Sequence, residues 1–399
     1  MVGGVEAVLG AHARLFADAG HDVRIVAGRG RSTDPRVELV RIPLADSRQT
    51  RVAVIRRELA SGHIPSDFRH LQGEVTRDLE AAVRGVDLLI VHNVASLHFN
   101  LPLVAALREI SARPGAPRMV AWTHDVAAAM PGYVGDLHEG WPWDLIRSPW
   151  PGVTLVAVSG ARRDDLARVS GAAPGAIRVI PNGIGIADSL GLHATTRRLV
   201  DDRGLGGAGP ILLTPSRMTP RKNLELALHV LSELRVESPD ARLVVTGALD
   251  PHDSASPAYR DQLRVMADSL AVTAATTILS DHARGREAAA VVRDLYRVAD
   301  VLLLPSHNEG FGLTVLEAAI ARLPIVCADI PALRETATTG ATFFDLGAPP
   351  REVARLVSER LAADTMHRLT VRTRTQLAWP AVYATWIEPL VAELLVSRA

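Results

Sequence analysis

Cysteine is nearly absent from this 399-residue chain: the only one, Cys327, lies in the apolar run LPIVCADI. A disulfide within the chain is therefore impossible, and a thiol in that setting reads as a small buried residue. An excess of charge of either sign is missing too. Lys plus Arg and Asp plus Glu number 44 each, which offers no electrostatic footprint for nucleic acid. No apolar run approaches the ~20 residues that span a bilayer. The opening stretch MVGGVEAVLGAHARLFADAG has no basic region followed by a continuous apolar core, so it does not read as a signal peptide. These absences fit a cytoplasmic protein. The arginines of RQTRVAVIRREL read first as a solvated helix face, with a weak peripheral contact at the inner face of the membrane as the alternative. There is no low-complexity tract and no short-period repeat.

What is present is apolar material for two cores, 48% of the residues. Short runs rich in β-branched residues alternate with longer amphipathic segments. The strand candidates are DVRIVAG, VELVRIP, VDLLIVHN, PRMVAWTHD, TLVAVS and IRVIPNG, then PILLTPS, ARLVVTG, TTILSD, DVLLLPS, LPIVCAD and ATFFD. Many are apolar throughout, as strands buried on both faces of a parallel sheet must be. Segments such as NLELALHVLSELRV complete βαβ units. The expected architecture is α/β, two doubly wound parallel-sheet domains facing a cleft, with the linker inside the glycine-rich stretch 183–209. The boundaries read as 1–187, 188–378 and a final segment 379–399. One element is missing from the pattern. The turn and helix of GGVEAVLGAHARLFADAGHDV should follow a first strand, and only Met1-Val2 precede them; a trimmed or misassigned start explains this better than true loss of a central strand, which would expose backbone on both neighbours.

In open α/β sheets ligands lie beyond the carboxyl ends of the strands. Polar residues expected there include Gly3, Gly4, His92, Asn93, His124, Asp125, Ser159 and Asn182 in the first half, and Arg217, Lys222, Asn223, Gly247 and Asp281 in the second. The stretch HNEGFGLTVLEAAI carries the strongest signal. A helix starting near Leu313 leaves the amides of Gly312, Leu313 and Thr314 as donors at the positive end of its dipole, a site for phosphate. Gly310 and Gly312, on either side of Phe311, let the backbone approach a ligand. Glu309 and Glu317 flank the site, eight residues apart or about 12 Å in a helix, a spacing that suits one carboxylate on a sugar and the other on a ribose. A solvated loop acid and a solvated helix acid are the plain alternative, which the apolar neighbours of Glu317 disfavour. In SRMTPRKN, Arg217 and Lys222 supply cations for a diphosphate. His124-Asp125 ends a strand of the other domain. There is no Asp-x-Asp and no zinc-like Cys/His spacing, so the expected chemistry uses no metal and no cofactor.

These pieces together resemble glycosyltransferase family 4, the retaining nucleotide-sugar transferases of the GT-B fold. The resemblance rests on GGVE with GHDVRIV, HD at 124–125, RVIPNG, SRMTPRKN, DVLLLPSHNEGFGLTVLEA and LPIVCADIPALRE. It implies that Glu309 faces the donor sugar, Glu317 takes the ribose, Arg217 and Lys222 take the β-phosphate, and His124 contacts the donor from the N-terminal side. Gly3 and Gly4, with Asp125, would line the acceptor side, and the segment 379–399 would cross back onto the first domain. An acid that often follows IPNG in this family is replaced by glycine, and Asp188 receives no role. Two other readings compete: a nucleotide-sugar-binding relative without activity, and a nucleotide-sugar epimerase of the same fold. The tryptophan-rich EGWPWDLIRSPW reads equally as an acceptor-side loop or as packing.

Overall fold

The computed structural model describes residues 4–249, 256–283 and 285–396. By contacts the chain divides into Met1–Gly183 with Trp379–Ala399, and Ile184–Ala378.

The first unit runs α1 (Gly4–Asp18), β1 (Val23–Ala27), β2 (Val37–Arg41), α2 (Thr50–Ala60), α3 (Phe68–Ala82), β3 (Leu88–His92), α4 (Leu101–Ser111), β4 (Arg118–Thr123), β5 (Val153–Ala157), α5 (Gly160–Ser170) and β6 (Ile177–Val179). β3-β4-β5-β6 form a parallel sheet in chain order, and β1 pairs in parallel with β2 in a second sheet. No ladder joins the two among the described residues. The described chain starts with α1 itself, so the strand expected ahead of it is not among them. Helix starts carry the side chains that such ends require: Asn100 accepts the amide of Leu103 (3.2 Å) and Ser159 that of Arg162 (3.2 Å). α5 stops at Gly171, whose left-handed φ of 72° suits glycine.

The second unit runs α6 (Ile186–Ser189), α7 (Ala194–Asp202), β7 (Ile211–Thr214), β8 (Arg217–Met218), α8 (Leu224–Glu237), β9 (Arg242–Val245), β10 (Ala248–Leu249), α9 (Ser256–Ser269), β11 (Thr276–Ile278), α10 (Gly285–Val298), β12 (Val301–Leu304), α11 (Leu313–Ala321), β13 (Ile325–Ala328), α12 (Pro331–Ala337), β14 (Thr342–Phe344), α13 (Pro350–Ala362) and α14 (Thr365–Gln376). Its main sheet is parallel, in the order β11-β9-β7-β12-β13-β14. The chain first builds outward from β7 on one side, then returns to its other side with β12. A reversal of this kind leaves a crevice at the carboxyl ends of the two middle strands. β7, β12 and β13 are buried at every residue, as their unbroken apolar runs demand. Cys327, in β13, is fully buried, and burial pushes its thiol up to about 12.

An ion pair ties α14 to the foot of this sheet. Asp300 accepts from Arg374 (2.7 Å) and from the amide of Ile211 (2.7 Å), with both side chains buried. Burial alone would raise the Asp300 carboxyl, but His367, Arg374 and that amide outweigh it and hold it low.

After α14 the chain rejoins the first unit through α15 (Trp379–Val382), a π-helical turn (Tyr383–Ile387) and α16 (Glu388–Val396). Val382, Ile387, Leu390 and Val391 bury against Val120, Trp122, Val156 and Ile180 of β4, β5 and the end of β6. The turn after β6 must be glycine here: a Cβ on Gly183 would stand 2.5 Å from the Trp379 ring. Trp143 and Trp150 are buried in the first unit's core, and Trp141 lies under the guanidinium of Arg69 (3.8 Å). The tryptophan-rich loop is packing, not an open aromatic platform, because its indoles fill the space beside α3 and α4. Among the described residues no helix is long and apolar enough to cross a membrane.

Candidate functional site

The crevice of the second unit is bounded by the loops that leave β7 and β12. Both are short, and they are stitched together. The amide of His307 donates to the carbonyl of Arg221 (2.9 Å), and the Arg221 guanidinium donates to the carbonyl of Asn308 (3.3 Å). This brings Lys222 onto Glu309, with Nζ and Oε1 2.5 Å apart and side chains only 12% and 10% exposed. Ser306, itself buried, donates its hydroxyl to the same oxygen (2.7 Å). One carboxylate oxygen therefore holds two donors, and no hydrogen bond to the other occurs among the described residues. The sequence assigned Lys222 and Glu309 to different parts of a ligand; here they are partners.

Arg217 opens β8 and is exposed. On either side of it the hydroxyls of Ser216 and Thr219 are buried without a hydrogen-bond partner among the described residues. Such groups cost free energy unless a ligand or water meets them. Asn223 does more than begin a helix: it sits at φ 49° in the left-handed region and caps α8. Tyr259 of α9 secures this end, its oxygen accepting the Leu224 amide (3.2 Å) while its hydroxyl donates to Glu225 (2.5 Å).

Gly312, at φ 88°, turns the chain into α11, and a Cβ there would lie 2.9 Å from Leu333. Glycine is required at 312 for both reasons. At Gly310 nothing stands within 4 Å, so the space there is open. The Val315 amide returns to Gly312 (2.9 Å), and the amides of Leu313 and Thr314 make no backbone bond among the described residues. They are open donors at the positive end of the helix dipole, where an anion is favoured in general. Phe311 and Leu313 are exposed.

Glu317 is exposed, together with Leu316 and Ile320. Apolar neighbours therefore did not imply burial: the outward face of α11 is itself apolar. Glu317 is nevertheless held. The Tyr296 hydroxyl of α10 donates to Oε2 at 2.5 Å. Burial, then the hydrogen bond to Glu317 and its charge, push the Tyr296 phenol well above its ordinary range, so it stays a donor. Neither Tyr296 nor Ser306 was picked out from sequence.

In the first unit, His124 and Asp125 follow β4. His124 is buried and its Nε2 has no hydrogen-bond partner among the described residues. Its ring lies 5.8 Å from that of His92, which lies 5.1 Å from that of His12. Burial is the main cause that lowers all three: His12 to about 4, His92 to about 3, and His124 in the same direction against the pull of Asp125. Gly4 is the exposed first residue of α1, while Gly3 lies outside the described residues.

Known families account for most of the chain. The model described as Glycosyltransferase Family 4 matches residues 2–187, and that described as Glycosyl transferases group 1 matches residues 197–368. A D-inositol 3-phosphate glycosyltransferase of Kineococcus radiotolerans is 34% identical over 189 residues, which cover 45% of this chain and 40% of that one. The protein of the same name from Streptomyces bingchenggensis is 30% identical over 217 residues, 53% of this chain and 45% of the relative. The matches thus span less than half the length of these relatives. Among solved structures, Anabaena HepE with UDP and glucose aligns over 98% of this chain and 97% of its own, at 16% identity and a TM-score of 0.37. An E. coli trehalose-6-phosphate protein bound to UDP-2-fluoro glucose aligns over 98% and 96%, at 14% identity and 0.38. With one family model on its first half and the other on its second, the chain belongs to glycosyltransferase family 4.

Proposed function

We propose that the chain is a retaining glycosyltransferase that moves a sugar from a nucleotide diphosphate to an acceptor hydroxyl, with no bound metal or other cofactor. The observation that carries this reading is the Lys222–Glu309 pair at the crevice between β7 and β12, beside the free amides of α11. An ammonium and helix-end amides on one side and a carboxylate on the other suit a ligand with an anionic bridge and a hydroxylated ring.

In this reading the diphosphate takes Lys222 from Glu309. The ammonium then meets a group whose negative charge grows as the glycosidic bond breaks, which lowers the barrier. Arg217 adds to that field, and the unpartnered hydroxyls of Ser216 and Thr219 lie within the same loop. Glu309, freed of Lys222 and steadied by Ser306, accepts hydrogen bonds from the sugar. Glu317, held by Tyr296, accepts from the ribose. His124 and Asp125 serve the transferring group and the acceptor side, and the acceptor hydroxyl attacks the face the diphosphate leaves, passing its proton to the departing diphosphate oxygen, so the anomeric configuration is kept. The acceptor is a small solute, a glycan or a lipid at the inner membrane face; the names of the relatives make a phosphorylated cyclitol one compound to try.

The test is nucleotide release from UDP-, GDP- and ADP-sugars with mixed acceptors, comparing wild type with Glu309→Ala. Release with one donor, coupled to a glycosylated acceptor and abolished in the variant, supports the reading. Binding without transfer marks a nucleotide-sugar-binding protein, and isomerised sugar formed without acceptor marks an epimerase; either overturns it.

A further inference from the structure

The turn after β4 is shaped by a residue of another strand end. Asn93 follows β3 with φ 57°, a left-handed conformation that costs most side chains free energy and that asparagine tolerates best after glycine. Its Oδ1 accepts two successive amides, those of His124 (3.0 Å) and Asp125 (2.8 Å). Its Nδ2 donates to Asp125 Oδ2 (3.0 Å). Its own amide donates to the Trp122 carbonyl (2.8 Å), and Ser96 closes the clasp by donating to the Asp125 carbonyl (2.7 Å).

The primary amide of Asn93 thus accepts two N–H groups through one atom and donates to a carboxylate through the other. Glutamine is one methylene too long and is not suited to the left-handed backbone. Aspartate would keep the acceptor and lose the donor, setting two carboxylates against each other. The His124 ring has no bond at Nε2 to aim it, so its direction comes from the backbone beneath it and from packing on His92.

We propose that Asn93 is a positioning residue that fixes His124 and Asp125 for sugar transfer. The proposal rests on the function given above and adds a residue that does not itself touch substrate. A strained backbone held by three side-chain hydrogen bonds is the kind of feature that persists where geometry matters to function.

Two variants test it. Asn93→Gly accepts φ 57° without strain and removes the clasp; a tryptophan-fluorescence melt checks its fold. Its kcat falls by about tenfold or more, as displaced catalytic groups require, while KM for the nucleotide sugar changes little because the proposed nucleotide contacts lie within residues 217–317. In Asn93→Asp the acceptor is kept, the donor is lost and a second carboxylate faces Asp125, so kcat falls at neutral pH as well, again with little change in KM. Independently of turnover, the His124 imidazole titration followed by NMR shifts in Asn93→Gly. A glycine variant whose kcat matches wild type while His124→Ala is inactive overturns the proposal, as does an unchanged His124 titration. Should wild type transfer no sugar, the broader reading fails and the NMR result still decides whether Asn93 sets the His124 environment.

Discussion

Two clusters of titratable side chains, one in each unit, are built on opposite terms. In the second unit every acid of interest has a donor: Lys222 and Ser306 on Glu309, Tyr296 on Glu317, Arg374 on Asp300. In the first unit His12, His92, His124 and Trp122 gather in one place, and His12 Nδ1 and Nε2, His92 Nδ1, His124 Nε2 and Trp122 Nε1 have no hydrogen-bond partner among the described residues. The first arrangement holds charges in fixed positions. The second tolerates imidazoles only while they are neutral. Charge is thus stabilised in one cluster and excluded from the other, and the two should respond to mutation and to pH in opposite ways.

The largest effect tests how much the paired arrangement depends on its partners. Removing one member of a buried ion pair leaves the other charge uncompensated. Arg374→Ala should destabilise the second unit by about 3–5 kcal/mol, seen by calorimetry as a large drop in its melting transition. A near-neutral effect would mean that Asp300 finds another partner or simply neutralises.

Acid is the corresponding test of the unpaired cluster. His12 titrates at about 4 when folded, against 6.5 for the unperturbed group. The folded form therefore binds its proton less readily than the unfolded chain. The stability this provides is fully present above the unfolded value and is lost as pH falls from there toward 4, about 3 kcal/mol for His12 alone. All six tryptophans lie in the first unit, so indole fluorescence reports that unit selectively. It should unfold in this window before the second unit does. Phe16, His92, Trp122 and Trp379 surround His12, and His12→Leu should move the transition to lower pH. If the midpoint does not move, His12 is not what limits acid stability.

A smaller effect separates the two glutamates. Glu317→Ala should weaken nucleoside diphosphate binding by roughly 1.5–3 kcal/mol, the worth of hydrogen bonds to a charged group. Tyr296→Phe, which keeps the carboxylate and frees it to rotate, should cost about 1 kcal/mol. Equal losses in calorimetric titration would show that the tyrosine, not the carboxylate, makes the contact.

The strands were legible because a buried parallel strand leaves an unbroken apolar run, as VLLL of β12 and IVCA of β13 do. The two-residue strands β8 and β10 have no such run and cannot be read. The α11 site was visible in outline because Gly312 and the helix start are local. Its completion was not. Ser306 is three residues from Glu309, but a serine ending a strand is too common to stand out. Tyr296 reaches Glu317 only because α10 packs beside α11, and Lys222 reaches Glu309 across 87 residues of chain. The left-handed turn at Asn93 is likewise invisible in sequence, since nothing local distinguishes it from any other strand end. Arg322 shows the reverse difficulty: it closes α11 at φ 59°, where glycine would be expected.

Whether the proposed donor site is Lys222 and Glu309 held closed on each other is decided by calorimetric titration of UDP, GDP and ADP into wild type and Lys222→Ala. One nucleotide should bind wild type and lose about tenfold or more in the variant, in keeping with a lost charge-assisted hydrogen bond. Binding of equal strength in both proteins would contradict it, because the ammonium would then have no part in holding the diphosphate.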